Sequence, residues 1–89
     1  MTGDQLYDLA SSVASREQFL TFVDLLEKNF AESRHEWEND NLTDFLSGLG
    51  GFAADMSGYY KNVGETVDVN IPTWRMIAQM LLAARIYGS

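Results

Sequence analysis

Cysteine is absent from the 89 residues. That excludes disulfides, thiolate metal sites and a cysteine nucleophile, and it fits a reducing cytoplasm. Histidine occurs once, at His35, and proline once, at Pro72. Basic residues are scarce: six Lys and Arg stand against thirteen Asp and Glu, for a net charge of −7. A field of that sign repels phosphate backbones and anionic lipid surfaces, so nucleic acid and membrane are poor partners and a basic protein is a good one. Long apolar runs are missing too. The best stretch, Trp74 to Ile86, is interrupted by Arg75, Gln79 and Arg85 and is too short to span a bilayer. The opening residues, MTGDQLYDLASS, carry Asp4 and Asp8 and no basic run, which is not the pattern of a secretory signal. No repeat, low-complexity segment or Pro/Ser-rich linker divides the chain.

What the chain does contain is apolar side chains with helical spacing. Hydrophobic residues make up 46%, including five Phe, four Tyr and two Trp. That supplies a core for one domain over 1–89, which at this size buries roughly 60% of its unfolded surface or somewhat more. Leu6, Leu9, Ala10 and Val13 mark a short N-terminal helix, expected to be frayed or loosely docked. Ser15 and Gln18 form a capping-box pair ahead of Phe19, Phe22, Val23, Leu26 and Phe30, which recur at three- and four-residue steps. In the third segment, Asp40 or Asn41 supplies a cap. Leu42, Phe45, Leu46, Leu49, Phe52 and Met56 then form an apolar stripe that crosses Gly48, Gly50 and Gly51 without slipping. Each glycine costs a helix about 1 kcal/mol relative to alanine, so their presence predicts close helix packing or a kink near Gly50.

Pro72 and Thr73 open a last helix with two apolar faces. Trp74, Ile77, Ala78, Leu81 and Ile86 lie on one, and Met76, Met80, Ala83 and Tyr87 on the other. A helix apolar over most of its circumference belongs at the centre, and Trp74 reads as core. Val67, Val69 and Ile71 alternate but have no partner strand, so 61–71 reads as an ordered loop. The expected fold is all-α: three main helices, about 16–34, 41–58 and 73–87, plus the short N-terminal one.

Catalytic constellations are thin. In HEWEND, residues 35–40, His35 and Glu38 are one turn apart and Glu36 and Asp40 are near, but a zinc protease needs a second histidine and a carboxylate-bridged metal bundle needs paired Glu-x-x-His motifs. SGLGG lacks the Lys-Ser/Thr ending of a phosphate-binding loop. Asp44 and Asp55 would lie three turns apart, too far to share a proton. The sequence therefore points away from an enzyme and implies no cofactor or metal.

One stretch remains, DMSGYYKNVGE at 55–65. Gly58 can end a helix and Gly64 can make a second turn. Tyr59 and Tyr60, being consecutive, cannot both face the core. One ring anchors the loop while the other is free as contact material for a partner. Tyr59, Tyr60, Asp55, Lys61, Asn62, Glu65 and Asp68 form the candidate partner-binding set.

The segments EWEND-NLTDFLSGLGGFAADM, GYYKNVGE and PTWRMIAQMLLAARIY resemble a family of small bacterial proteins catalogued as domain-of-unknown-function family 7660. The residues that carry the likeness are Trp37, Glu38 and Asn39; Leu42, Phe45 and Leu46; Gly58, Tyr59, Tyr60 and Asn62; and Trp74, Ala78, Leu81, Ala83 and Ala84. The likeness extends from about Ser15 to Tyr87 and brings no activity with it. Size, acidity and exposed aromatics together suggest a small acidic protein-binding module, of the immunity or antitoxin kind, that blocks a basic toxin domain. The alternative is a structural or regulatory accessory domain without catalytic activity, as a monomer or a homodimer formed through surplus apolar surface.

Overall fold

The computed structural model describes residues 1–88. Four α-helices carry the chain: α1 (Gly3–Ser12), α2 (Arg16–Ser33), α3 (Leu42–Asn62) and α4 (Trp74–Ala83). A single 3-10 turn, Arg34–Glu36, extends α2. Among the described residues there is no strand, so the all-α expectation holds.

Each helix starts where its cap places it. Thr2 and Gln5 complete a capping box on α1, with the Thr2 amide donating to Gln5 Oε1 at 2.8 Å and the Gln5 amide to Thr2 Oγ1 at 3.2 Å. The Ser15–Gln18 pair is a half-box: Ser15 Oγ accepts from the Gln18 amide, but Gln18 Oε1 reaches one residue further back, to the Ala14 amide. Asn41 and Thr73 cap α3 and α4 by accepting from the Asp44 and Met76 amides.

Helix α4 is central, with α1, α2 and α3 all packed against it. Its two faces divide as the spacing requires. Ala78, Leu81 and Leu82 join Leu6, Phe22 and Leu26 in one apolar cluster. Met76, Met80, Ala83 and Tyr87 join Phe52, Met56 and Tyr60 in the other.

Five expectations need correction. The N-terminal helix is not loosely docked: Leu6 and Ala10 are fully buried and Val13 is 2% exposed. Helix α3 does not stop near residue 58 but runs four residues further, and Gly58 is an interior helical position. The stop comes at Gly64, whose φ of +77° only glycine adopts without strain. Trp74 is not core; it is 40% exposed at the start of α4, with its ring against Phe19 at 5.2 Å. The apolar stripe of α3 is buried only in its second half, since Leu42 and Leu46 face outward. The regular part of the last helix also ends earlier, at Ala83, and continues in hydrogen-bonded turns to Tyr87.

The glycine cluster serves packing most tightly at Gly48, less so at Gly51, where a Cβ would lie 3.3 Å from the Tyr87 ring, and not at Gly50. At Gly48 a Cβ would lie 2.6 Å from the Ala84 carbonyl oxygen and 2.7 Å from Asn39 Nδ2, whereas at Gly50 nothing lies within 4 Å. Asn39 explains the closeness. Its side-chain amide donates to the Ala84 and Tyr87 carbonyls, each at 2.9 Å, and its own backbone amide donates to the Arg85 carbonyl at 2.8 Å. The loop between α2 and α3 thereby satisfies carbonyls that the end of α4 leaves open.

The two glycines should respond with opposite signs. Gly50→Ala removes a backbone-entropy cost and should stabilise by about 0.5–1 kcal/mol. Gly48→Ala forces backbone and a buried amide apart and should destabilise by about 1–3 kcal/mol. Thermal melts read both, at about 4–8 °C per kcal/mol for a domain of this size. Equal shifts would mean that the contact at Gly48 is looser than described. Asn39→Ala should cost a further about 1–3 kcal/mol in the same assay, because it strands buried carbonyls.

Candidate functional site

The last three turns of α3 project residues 52, 55, 59 and 62 along one side, at the spacing of a single helical face. That side meets the end of α4 and the start of α1 along a groove. Two joined depressions form it. One, of about 340 Å³, has Asp4 and Tyr7 of α1 opposite Phe52 and Tyr59 of α3, with Leu82 and Ile86 beneath. The other, of about 440 Å³, continues past Phe52 and Tyr59 between Asp55, Asn62 and Tyr87.

The walls are aromatic and mutually braced. Phe52 is at the middle, with the Tyr59 ring at 5.5 Å and the Tyr87 ring edge-on at 5.6 Å. The Tyr7 and Tyr59 hydroxyls share a hydrogen bond of 2.7 Å across the gap between α1 and α3. Tyr87 donates from its hydroxyl to Asp55 Oδ2. These contacts fix ring orientation before anything binds, which lowers the ordering cost of an interface.

The structure distributes the seven candidate residues over three settings. Tyr59, Asp55 and Asn62 line the groove. Tyr60 faces the other way. It is 2% exposed, donates to Gln79 Oε1 at 2.5 Å, and its ring carries the Arg75 guanidinium at 5.7 Å. Glu65 holds that guanidinium at 2.7 Å, and the Glu65 amide donates to the Tyr60 carbonyl. Tyr60 and Glu65 are therefore used internally, to seal the second apolar cluster. Lys61 is exposed in the last turn of α3, where a cation is favoured by the helix dipole. Asp68 shapes the loop, accepting from the Asn70 amide at 2.9 Å. Val67 and Val69 press onto the second cluster and hold the loop down.

Sequence reasoning missed Tyr7, Phe52, Ile86 and Tyr87 as groove residues. Phe52 and Tyr87 were read only as helix-face residues. Tyr7 had a faint signal in its position: on α1 it lies off the face defined by Leu6, Ala10 and Val13, so its ring was bound to point elsewhere.

In the HEWEND segment, Trp37 and Asp40 make structural contacts. Trp37 is buried and donates from Nε1 to Asn29 Oδ1 at 2.7 Å, and the Arg34 side chain pairs with Asp40 at 3.3 Å. Among the described residues no group of three or more His, Asp or Glu is gathered to hold a metal ion. No helix there is long and apolar enough to cross a membrane.

The fold and groove define a small helical domain built around a central last helix. The chain belongs to the Family of unknown function (DUF7660), whose model matches residues 15–88. No curated protein and no solved structure matches it. Helix α1, and with it Tyr7 and Asp4, lies ahead of the matched residues.

Environment makes Tyr59, Tyr60 and Tyr87 reluctant acids. Burial, reinforced by the bond to Tyr7, pushes the Tyr59 phenol well above its ordinary value of 10.0. The Asp55 carboxylate bound to Tyr87 raises that phenol as well, and burial raises Tyr60. A phenol whose folded pKa is raised binds its proton more tightly when folded. Its contribution is thus complete below about pH 10 and is lost as pH climbs through the folded value. Phenolate absorbance near 295 nm should show fewer than four tyrosines ionising near pH 10, with the remainder appearing only as helical circular dichroism collapses. Four phenols titrating together near 10, with the fold intact, would contradict this environment.

Proposed function

We propose that this protein is a non-catalytic protein-binding module that engages a basic protein partner. The observation behind this reading is the braced aromatic groove, edged by Asp4 and Asp55, on a chain of net charge −7. Aromatic rings held in place supply contact area at little entropic cost, and the surrounding acidic field speeds and orients the arrival of a cationic surface. The narrower form is an immunity- or antitoxin-type inhibitor of a basic toxin domain, acting in a bacterial cytoplasm. Small size, strong acidity and the lack of cysteine support that form.

A second reading has its own observation. Leu42 is 72% exposed and Leu46 53%, one turn apart on α3. An accessory domain that homodimerises through this face would cover them. Light scattering over a concentration series decides it: a mass that stays at 10.0 kDa throughout removes the homodimer.

The binding reading is tested by recovering the tagged protein from its native host and reconstituting binding with the purified co-isolated protein. We expect one stoichiometric basic partner, with affinity falling at least about tenfold between about 0.05 and 0.5 M salt as the charges are screened. A partner that is acidic, or indifferent to salt, sinks the electrostatic reading. No stoichiometric partner at either salt sinks the module.

A further inference from the structure

We infer that the occupant of the groove is a basic amphipathic segment that seats two neighbouring apolar side chains in the joined depressions and sets its Lys or Arg side chains against Asp4 and Asp8 on one edge and Asp55 on the other. This deepens the binding reading above and rests on it.

The division of the groove fixes the pattern. Both depressions share Phe52, Tyr59, Ala83 and Ile86, so an apolar group in either touches the same aromatic centre, and the two sites are neighbours. A volume of about 340 Å³ lies at the small end of ligand sites, which suits one bulky side chain rather than a cofactor. Charge decides what goes inside and what stays at the edge. Arg85 lines the first depression, with Nε donating to the Leu82 carbonyl at 3.1 Å and Nη1 to Asn29 Oδ1 at 3.3 Å. That fixed cation disfavours a second one within the depression and leaves it to an apolar group. At the rim the sign reverses. Asp4 lines the cleft, Asp8 follows one turn later on α1, and neither has a basic partner among the described residues. Asp55 binds only the Tyr87 hydroxyl there, through Oδ2. Asp4 and Asp55 thus edge an apolar trough without cations, Asp8 lies one helical turn beyond Asp4, and a segment with apolar anchors between basic residues is the complement.

The probe is an acetylated, amidated peptide of sequence Lys-Lys-Leu-Lys-Lys-Leu-Phe-Lys, titrated into isotope-labelled protein and followed by NMR. Two control peptides replace every Lys with Glu, or Leu and Phe with Ser. We expect saturable shifts at Tyr7, Phe52, Tyr59 and Ile86 with the first peptide and none with either control. Tyr7 is 44% exposed, so Tyr7→Ala should keep the fold while weakening binding about tenfold or more. Asp4→Asn with Asp8→Asn should weaken binding and flatten its salt dependence. The inference is overturned by no saturable shift at these residues up to millimolar peptide, by equal shifts with the Glu control, or by shifts centred on Leu42 and Leu46. The two readings fail separately. A host partner still held by the Tyr7→Ala protein, with no peptide shifts, keeps the module and removes this groove. Peptide shifts in the groove without any host partner do the reverse.

Discussion

The end of α4 is held by one side chain that belongs to no helix. Asn39 reaches from the α2–α3 connection to the Ala84 and Tyr87 carbonyls, and its backbone amide takes the Arg85 carbonyl between them. Those carbonyls are the acceptors a helix terminus leaves unpaired, and their neighbourhood is buried, so leaving them bare would be costly. Asn29 does parallel work one layer in, accepting from Trp37 Nε1 and from Arg85 Nη1. Arg85 is 8% exposed and its guanidinium lies 5.7 Å over the Trp37 ring. Burial lowers its pKa below the ordinary guanidinium value, an effect the Glu36 charge opposes. A buried cation is retained when hydrogen-bond acceptors and an aromatic face replace its water, and Arg85 has both. Because α4 touches every other helix, fixing its end places the floor of the groove as well as both apolar clusters.

That constraint also separates what the sequence could and could not reveal. The two faces of α4 were readable, because the 3.6-residue period assigns Ala78 and Leu81 to one side and Met76, Met80 and Ala83 to the other whatever they meet. The end of α3 was not. Gly58 looks like a helix stop by composition, yet Phe52, Met56 and Tyr60 repeat at four-residue steps across it, and burying Tyr60 outweighs the cost of one interior glycine. Gly48 had a distinct role among its neighbours only because Ala84 and Asn39 come within contact distance of it, and both are far away in sequence. The exposure of Trp74 has a related cause. Its place on the apolar face is right, but it begins the helix, where the Phe19 ring covers part of it and 40% stays exposed.

The candidate site was half legible. The adjacent tyrosines were bound to diverge, and they do: Tyr60 goes beneath the surface to Gln79, and Tyr59 turns to the groove and Tyr7. Which would take which role depended on α4, since Gln79 is the buried acceptor that selects Tyr60. Gln79 also donates to Ser11 Oγ at 3.4 Å, so a single α4 side chain links α1 with α3. Asp55 belongs to the candidate set, but its bond to Tyr87 joins residues 32 apart in the chain, and no local pattern announces it.

Family membership and groove chemistry therefore carry different information. Among the residues behind the resemblance, Trp37, Asn39, Tyr60, Ala78 and Ala84 are buried. Their work is to close the core and tie down α4, which accounts for a recognisable pattern without invoking an activity. The groove draws instead on residues from both sides of the family boundary. Tyr59 and Asp55 fall within the matched region 15–88, while Tyr7, Asp4 and Asp8 belong to α1 ahead of it. One wall of the trough, and the acids along that edge, are contributed by α1 and not by the matched domain. A domain carrying the same α2–α4 core but a different leading segment would keep Phe52 and Tyr59 beside α4, yet it would offer a partner a different opposite wall. On the proposed binding reading, specificity would be open to change through the outer face of these ten helical residues, because their inner face, Leu6 and Ala10, is committed to the core.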